Sequence, residues 1–203
     1  MQGRVDLLLQ ENNIKDLARA GCDNIWMGAE SGSQKILDAM DKGTTVEQIY
    51  EATHLLKKTG IKPSFFIQFG YLNETRADIE KTIGMINKLL PYEIGISVSY
   101  PLPGTGFYEK VKDQLKEKTN WTDSDELDLM FRNSFAPAYY KQLHRYVHKN
   151  YQKHLSIQIV KQLIAKPART SFHKIRKAFS LLYYVPASWL AGLRLTKLDF
   201  YNK

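Results

Sequence analysis

Cysteine is almost missing from this 203-residue chain: Cys22 stands alone. One thiol excludes an internal disulfide framework and suits a reducing compartment. It also excludes a metal cluster held only by the chain's own thiolates, since such sites take three or four sulfurs. The opening MQGRVDLLLQENN lacks the basic-then-apolar pattern of a secretory signal. Long apolar runs are missing too. The stretch 178–193 is free of charge for 16 residues, but it is interrupted by Pro186 and Gly192 and falls short of the roughly 20 residues of a spanning helix. Nowhere does the sequence offer a nucleophile–base pair or a metal-ligand set, so no catalytic and no metal residue is assigned. Acid is scarce in one region only. Residues 141–203 carry 13 Lys and Arg against the single acid Asp199, whereas residues 1–140 carry 16 against 20. A mildly acidic body and a strongly basic tail therefore need separate explanations.

What is present in the body is a repeated unit. CDNIWMGAE (22–30), KPSFFIQFG (62–70) and EIGISVSYP (93–101) are apolar runs rich in β-formers and bounded by turn residues. TTVEQIYEATHLLKKTG (44–60) and TRADIEKTIGMINKLL (75–90) have helical spacing. In the first, Thr44 and Glu47 read as a capping box and Gly60 as a C-cap. GRVDLLLQ reads as a further strand at the start, with Arg4 on it, followed by a helical NNIKDLARAG. Strands alternating with helices predict an α/β fold with about four parallel strands. If the sheet curves, it is a barrel fragment with helices outside. Its first strand is expected to have an open edge that favours a partner. Helical patterns follow residue 105: FYEKVKDQLKEK, DSDELDLMF, and a longer run from Tyr139 toward Ala165 that Pro167 is expected to end. The expected organisation is a partial barrel over 1–118, a helical region over 119–166, and a basic, aromatic-rich tail over 167–203.

Ligands of such sheets bind at the carboxyl ends of the strands. Glu30, the loop Gly70 to Glu74, and Pro101 to Gly104 all fall there. Taken alone, Glu30 reads first as a solvated turn cap; together with the other two strand ends it reads as a ligand-holding carboxylate. Glu74 and Thr75 open a helix and read as caps. Asn73 is of a residue type that tolerates the left-handed conformation. His144 and His148 are four apart on one helix, but with no third ligand they read as surface histidines.

GAESG followed by SQKILDAMDKG, FFIQFGYLNET, and ISVSYPLPGTGFYEKV, with GRVD before and NWTDSDELDLMF after, resemble radical S-adenosylmethionine (SAM) enzymes. The likeness is to their strands three to six, most closely in the cobalamin-binding subgroup, and covers about residues 2–135. The resemblance implies a SAM site. Glu30 would hold the ribose diol, and Gly28 and Gly32 would let backbone approach the sugar. Ser31 and Ser33 would cap the next helix, Ile67 and Phe69 would flank the adenine, and Gly70 would leave room for it. Pro101 and Leu102 would complete the rim. It also implies a [4Fe–4S] cluster and cobalamin in the full-length family. The family's C-x-x-x-C-x-x-C loop is not found here, nor is a cobalamin domain, which implies the C-terminal portion of an enzyme that is inactive alone. Such a chain is expected to work with a missing N-terminal half or partner chain, on a small-molecule or lipid-like substrate, by radical methylation or rearrangement of an unactivated carbon. The competing expectation is a non-catalytic, degenerate barrel that binds a protein partner or a membrane surface through its tail. A cytoplasmic location follows from the cysteine usage. The tail over 172–203 suits either peripheral contact with the inner face of a membrane or packing on the missing half. No reading module accompanies its charge, so nucleic acid is not expected.

Overall fold

In the computed structural model, residues 1–115, 131–165 and 171–200 are described. The described residues divide between two units, Met1–Tyr140 and Lys141–Lys203. In the first, β1 (Gln2–Gly3), β2 (Asn24–Glu30), β3 (Lys62–Phe69) and β4 (Ile94–Val98) form one sheet in the order β1-β2-β3-β4. Every pairing is parallel, with Trp26 opposite Ser64 and Phe66 opposite Gly95. The crossovers carry α1 (Val5–Leu8), α2 (Asn13–Arg19), α3 (Gln34–Ala39), α4 (Val46–Lys58) and α5 (Arg76–Leu89). After β4 come α6 (Gly106–Val111) and a 3-10 turn, Lys112–Gln114. This is the partial barrel expected from the alternating pattern.

The strand alternation shows how it is built. Ile25, Met27 and Ala29 of β2 and Phe65, Ile67 and Phe69 of β3 are buried, as are Ile36, Ile49, Leu56, Ile79 and Ile86 of the helices. The intervening residues Trp26, Gly28, Glu30, Phe66 and Gln68 lie on the opposite, more open face. Successive strand side chains point to opposite faces. The helices therefore cover one face, and the other is the inner surface of the barrel segment. There Trp26 and Phe66 stack at 4.8 Å, over Gly95, where an added Cβ would meet the Trp26 ring at 3.2 Å.

Three local expectations are corrected. The chain after Gly3 turns at once into α1, because Val5 and Leu8 are three apart and bury together. Arg4 thus stands at the N-cap of α1, not on a strand, and its guanidinium meets Asp6 at 2.9 and 3.0 Å. The capping box of α4 is Thr45 with Gln48, one residue later than expected, while Thr44 is buried. Gly60 does follow the end of α4, at φ 86°. The residues DSDELDLM and Pro167 lie outside the described residues.

In the second unit, α7 (Pro137–Ala165, whose first four residues belong to the first unit), α8 (Phe172–Phe179) and α9 (Leu181–Phe200) are helical. Gln142 donates to the Ala191 carbonyl at 2.9 Å, the Ser156 and Ser180 hydroxyls meet at 3.0 Å, and Gly192 faces the Tyr146 ring. These contacts run in opposite chain directions, so α7 and α9 pack antiparallel. The His144 and His148 rings meet at 4.5 Å between centroids, tilted 58° to one another. Burial first, then the neighbouring His144, pushes His148 below the usual histidine range. No group of three potential metal ligands occurs among the described residues.

Candidate functional site

The carboxyl rim is built from the β2–α3, β3–α5 and β4–α6 loops. At the end of β2 the pairing with β3 slips between Gly28 and Glu30, and Glu30 takes a left-handed φ of 53°. This bulge turns the Glu30 carboxylate back along its own strand. A Cβ on Gly28 would lie 2.9 Å from Glu30 Oε1, so only glycine leaves space for the carboxylate there. Lys42 Nζ donates to the same Oε1 at 3.0 Å, and the Glu30 side chain keeps 15% of its exposure. Gly28, Glu30 and Lys42 thus form a small, charged and accessible cradle at the strand tip.

Behind the cradle the residues are fully engaged with the protein. Ser31 and Ser33 are buried. The Ser31 hydroxyl meets Thr82 Oγ1 at 3.1 Å and accepts from the Ser33 N–H, while the Ser33 hydroxyl donates to Asp78 at 2.6 Å. Ser33 occupies the N-cap position of α3 without a side-chain cap, which corrects the capping expectation for both serines: α5 has taken their hydroxyls. Gly32 is likewise packed against α5. Its N–H donates to Thr82 Oγ1 at 2.9 Å, and an added Cβ would lie 2.5 Å from the Lys81 carbonyl oxygen. The space at Gly32 therefore admits a helix backbone rather than a sugar.

Asp78 is the hub of this layer. It accepts from Ser33, from the N–H and hydroxyl of Thr75 (3.0 and 2.6 Å), and from Lys35 at 3.2 Å. Burial opposes its ionisation, but these donors outweigh burial and hold its carboxyl well below the usual range. Lys35 also donates to the Asn73 carbonyl at 2.8 Å, tying the β2–α3 and β3–α5 loops together. Asn73 takes the left-handed conformation that its residue type tolerates, at φ 59°.

Glu74 is the residue that sequence reasoning missed. Thr75 caps α5, with Asp78 completing its capping box, whereas Glu74 is wholly buried and its Oε2 accepts from the Gly70 N–H at 2.6 Å. Among the described residues its other oxygen has no hydrogen-bond partner, and neither do the buried hydroxyls of Ser99 and Tyr140. Burial pushes the Glu74 carboxyl up to about 8, Asp78 adds to the rise, and the Gly70 N–H and Lys35 oppose it. Tyr140 is pushed up by burial and then by Glu74. Gly70, at φ 79°, is buried, and Asn133 donates to its carbonyl. Ile67 and Phe69 are each 1% exposed, in the core beneath the helices, so neither side chain faces the open surface. Trp26 and Phe66 do face it. Alternation from Asn24 through Glu30 was the signal that would have found Trp26; Phe66 follows only from the register of β3 against β2. Beyond β4, Pro101 is buried and Leu102 is 54% exposed. Leu102's carbonyl accepts the Thr105 hydroxyl at 2.7 Å, and Thr105 caps α6.

A parallel sheet with helices on one face and a carboxylate cradle at its carboxyl rim is a segment of a (βα) barrel. Residues 3–86 match the family model described as the Radical SAM superfamily. The chain is 30% identical over 119 residues to an uncharacterized methyltransferase of Pyrococcus horikoshii, covering 58% of this chain and 26% of the relative. It is 31% identical over 127 residues to bacteriochlorophyllide d C-12(1)-methyltransferase of Chlorobaculum tepidum, covering 61% and 27%. Among solved structures it resembles the cobalamin-dependent S-adenosylmethionine radical enzyme OxsB with aqua-cobalamin bound. The TM-score is 0.52 at 18% identity, over 94% of this chain and 34% of that one, a likeness of fold. The chain spans about a quarter of the length of the curated relatives it matches.

The superfamily implies SAM and a [4Fe–4S] cluster. The residues present fit the first and not the second. Glu30, folded over Gly28 and held by Lys42, is a charged acceptor at an open strand tip. Cys22 is the chain's one thiol; it precedes β2 at the amino end of the sheet, away from the rim, with its Sγ 3.5 Å from the Asn24 carbonyl.

Proposed function

We propose that this chain forms the SAM-binding rim of a radical SAM methyltransferase, of the type that uses cobalamin. The observation that carries the reading is the Gly28–Glu30–Lys42 cradle. A carboxylate accepts hydrogen bonds from both hydroxyls of a ribose, and its charge strengthens them. The bulge aims it, glycine at 28 gives it room, and Lys42 keeps one oxygen oriented. Gly70 is held in its turn by Glu74 and Asn133, so the backbone edge beyond β3 is presented rigidly to an adenine, and Leu102 closes the rim from the β4 side. Trp26, Phe66 and Gln68, on the inner face below, would line the space for an apolar substrate carbon awaiting methylation or rearrangement. When bound beside a reduced cluster, SAM supplies a 5′-deoxyadenosyl radical. Three thiolates for that cluster are not among this chain's residues, so the chain's own contribution is to bind, orient and exclude water. It makes no radical by itself.

Equilibrium dialysis of radiolabelled SAM against the purified chain tests this. Charge-assisted hydrogen bonds are worth about 1.5–3 kcal/mol, so Glu30→Gln is expected to weaken binding by tenfold or more. Equal affinity in the two proteins would remove Glu30 from the site.

A further inference from the structure

The second unit carries an apolar surface that the proposed chemistry does not use. Along α8 and α9, Phe172, Ile175, Phe179, Leu182, Trp189 and Leu193 are exposed. Their spacings are three, four, three, seven and four, which places them on one helical stripe. Ser180, between the two helices, keeps right-handed helical angles, and the Tyr184 N–H donates to its carbonyl at 2.9 Å. The stripe therefore continues across the junction for about 32 Å at 1.5 Å per residue. The side of α9 that packs on α7 is a different one, made of Ser188, Ala191 and Gly192. Exposed apolar residues in such a row mark an interaction surface rather than ordinary scatter.

Charge identifies the occupant. Arg176 and Arg194 are both exposed and stand 18 residues apart, five full turns, at one edge of the stripe. Exposed Lys197 continues the row beyond Leu193. Residues 141–203 hold 13 basic residues to one acid, so the face repels most basic partners and seeks a dense anionic one. Trp189 and Tyr183, 64% and 61% exposed, are residues favoured at the boundary between headgroup and acyl chain. No helix among the described residues is long and apolar enough to cross a membrane. An apolar stripe with a basic edge on a helix too polar to span is the pattern of a segment lying in the plane of a lipid surface.

We infer that α8–α9 docks the protein on the surface of an anionic membrane, with the Phe172–Leu193 stripe in the acyl boundary and Arg176 and Arg194 on headgroup phosphates. The test is co-sedimentation of the full chain with phosphatidylcholine vesicles, with and without 30% phosphatidylglycerol. Binding is expected to need the anionic lipid and to weaken as salt is raised. Two variants separate its parts: Phe179→Asp with Trp189→Asp removes the apolar term, and Arg176→Glu with Arg194→Glu reverses the charge. Each pair lies on the exposed surface, so both proteins should keep wild-type circular dichroism, and each should lose tenfold or more in vesicle binding. The inference is overturned if wild type ignores anionic vesicles, or if neither pair changes binding. It is equally overturned if the apolar pair turns an oligomer into a monomer while vesicle binding is absent, since the stripe would then be covered by a second copy.

Discussion

Replacing Glu74 by Gln should make the protein more stable at and above neutral pH and leave it nearly unchanged in mild acid. Glu74 is fully buried, bonded by one oxygen to the Gly70 N–H, with the other oxygen unpartnered among the described residues. Its carboxyl is raised from 4.5 to about 8, chiefly by burial. Between those values the folded protein holds a proton that the unfolded chain has released. Stability therefore falls as pH rises through this window, and the loss is complete above the folded value. Each pKa unit corresponds to about 1.4 kcal/mol, and with partial titration at both ends of the window wild type should lose about 3.5 kcal/mol from pH 5 to pH 8 relative to Glu74→Gln. Glutamine keeps an acceptor for the Gly70 N–H and carries no charge at any pH in this range. Asp78 does not blur the comparison. Its depressed carboxyl contributes stability that is present above the unfolded value and lost only as pH falls below it. Urea denaturation of both proteins at pH 5, 6, 7 and 8 measures the difference. Parallel pH dependences would refute the argument, because Glu74 would then be titrating as it does in the unfolded chain.

Other outcomes follow from the same layer of contacts. Gly32→Ala puts a methyl against the Lys81 carbonyl at 2.5 Å and should cost about 1–3 kcal/mol in denaturant titration, since a helix backbone rather than a flexible side chain must yield. Asp78→Asn turns an N–H donor toward Ser33, Thr75 and Lys35 and should cost about 2–3 kcal/mol at pH 7. That deficit should shrink below pH 4, where wild type loses its own advantage. Thr45→Ala breaks the α4 capping box and should lower stability by about 1 kcal/mol while leaving SAM affinity unchanged.

The strands and helices were readable because each β-rich run is short, bounded by turn residues and separated by a helix-spaced segment. Local chemistry was enough to place the rim at Glu30, Gly70 and Pro101. What could not be read was who else wanted those residues. Ser31 and Ser33 look like caps from their neighbours alone, but their partners Thr82 and Asp78 lie 51 and 45 residues away. Glu74 sits just before a capping Thr75 and so resembles a cap itself; its burial depends on a fold that also brings up Tyr140. Ile67 and Phe69 lie in a run apolar on both faces, where alternation says little. Register with β2 decides that they face the core and that Phe66 faces the open side. The bulge that turns Glu30 left-handed has no signature beyond a neighbouring glycine.

The central claim is that SAM binds at the carboxyl rim, beside Glu30. Glycine-selective 15N labelling reads this directly, because the chain has only 12 glycines and they mark both ends of the sheet. Titration with SAM should move the amide signals of Gly28 and Gly70 and leave Gly21 and Gly60, at the amino ends of β2 and β3, in place. Signals that stay still at Gly28 and Gly70, or that move only at the amino end, would contradict the account.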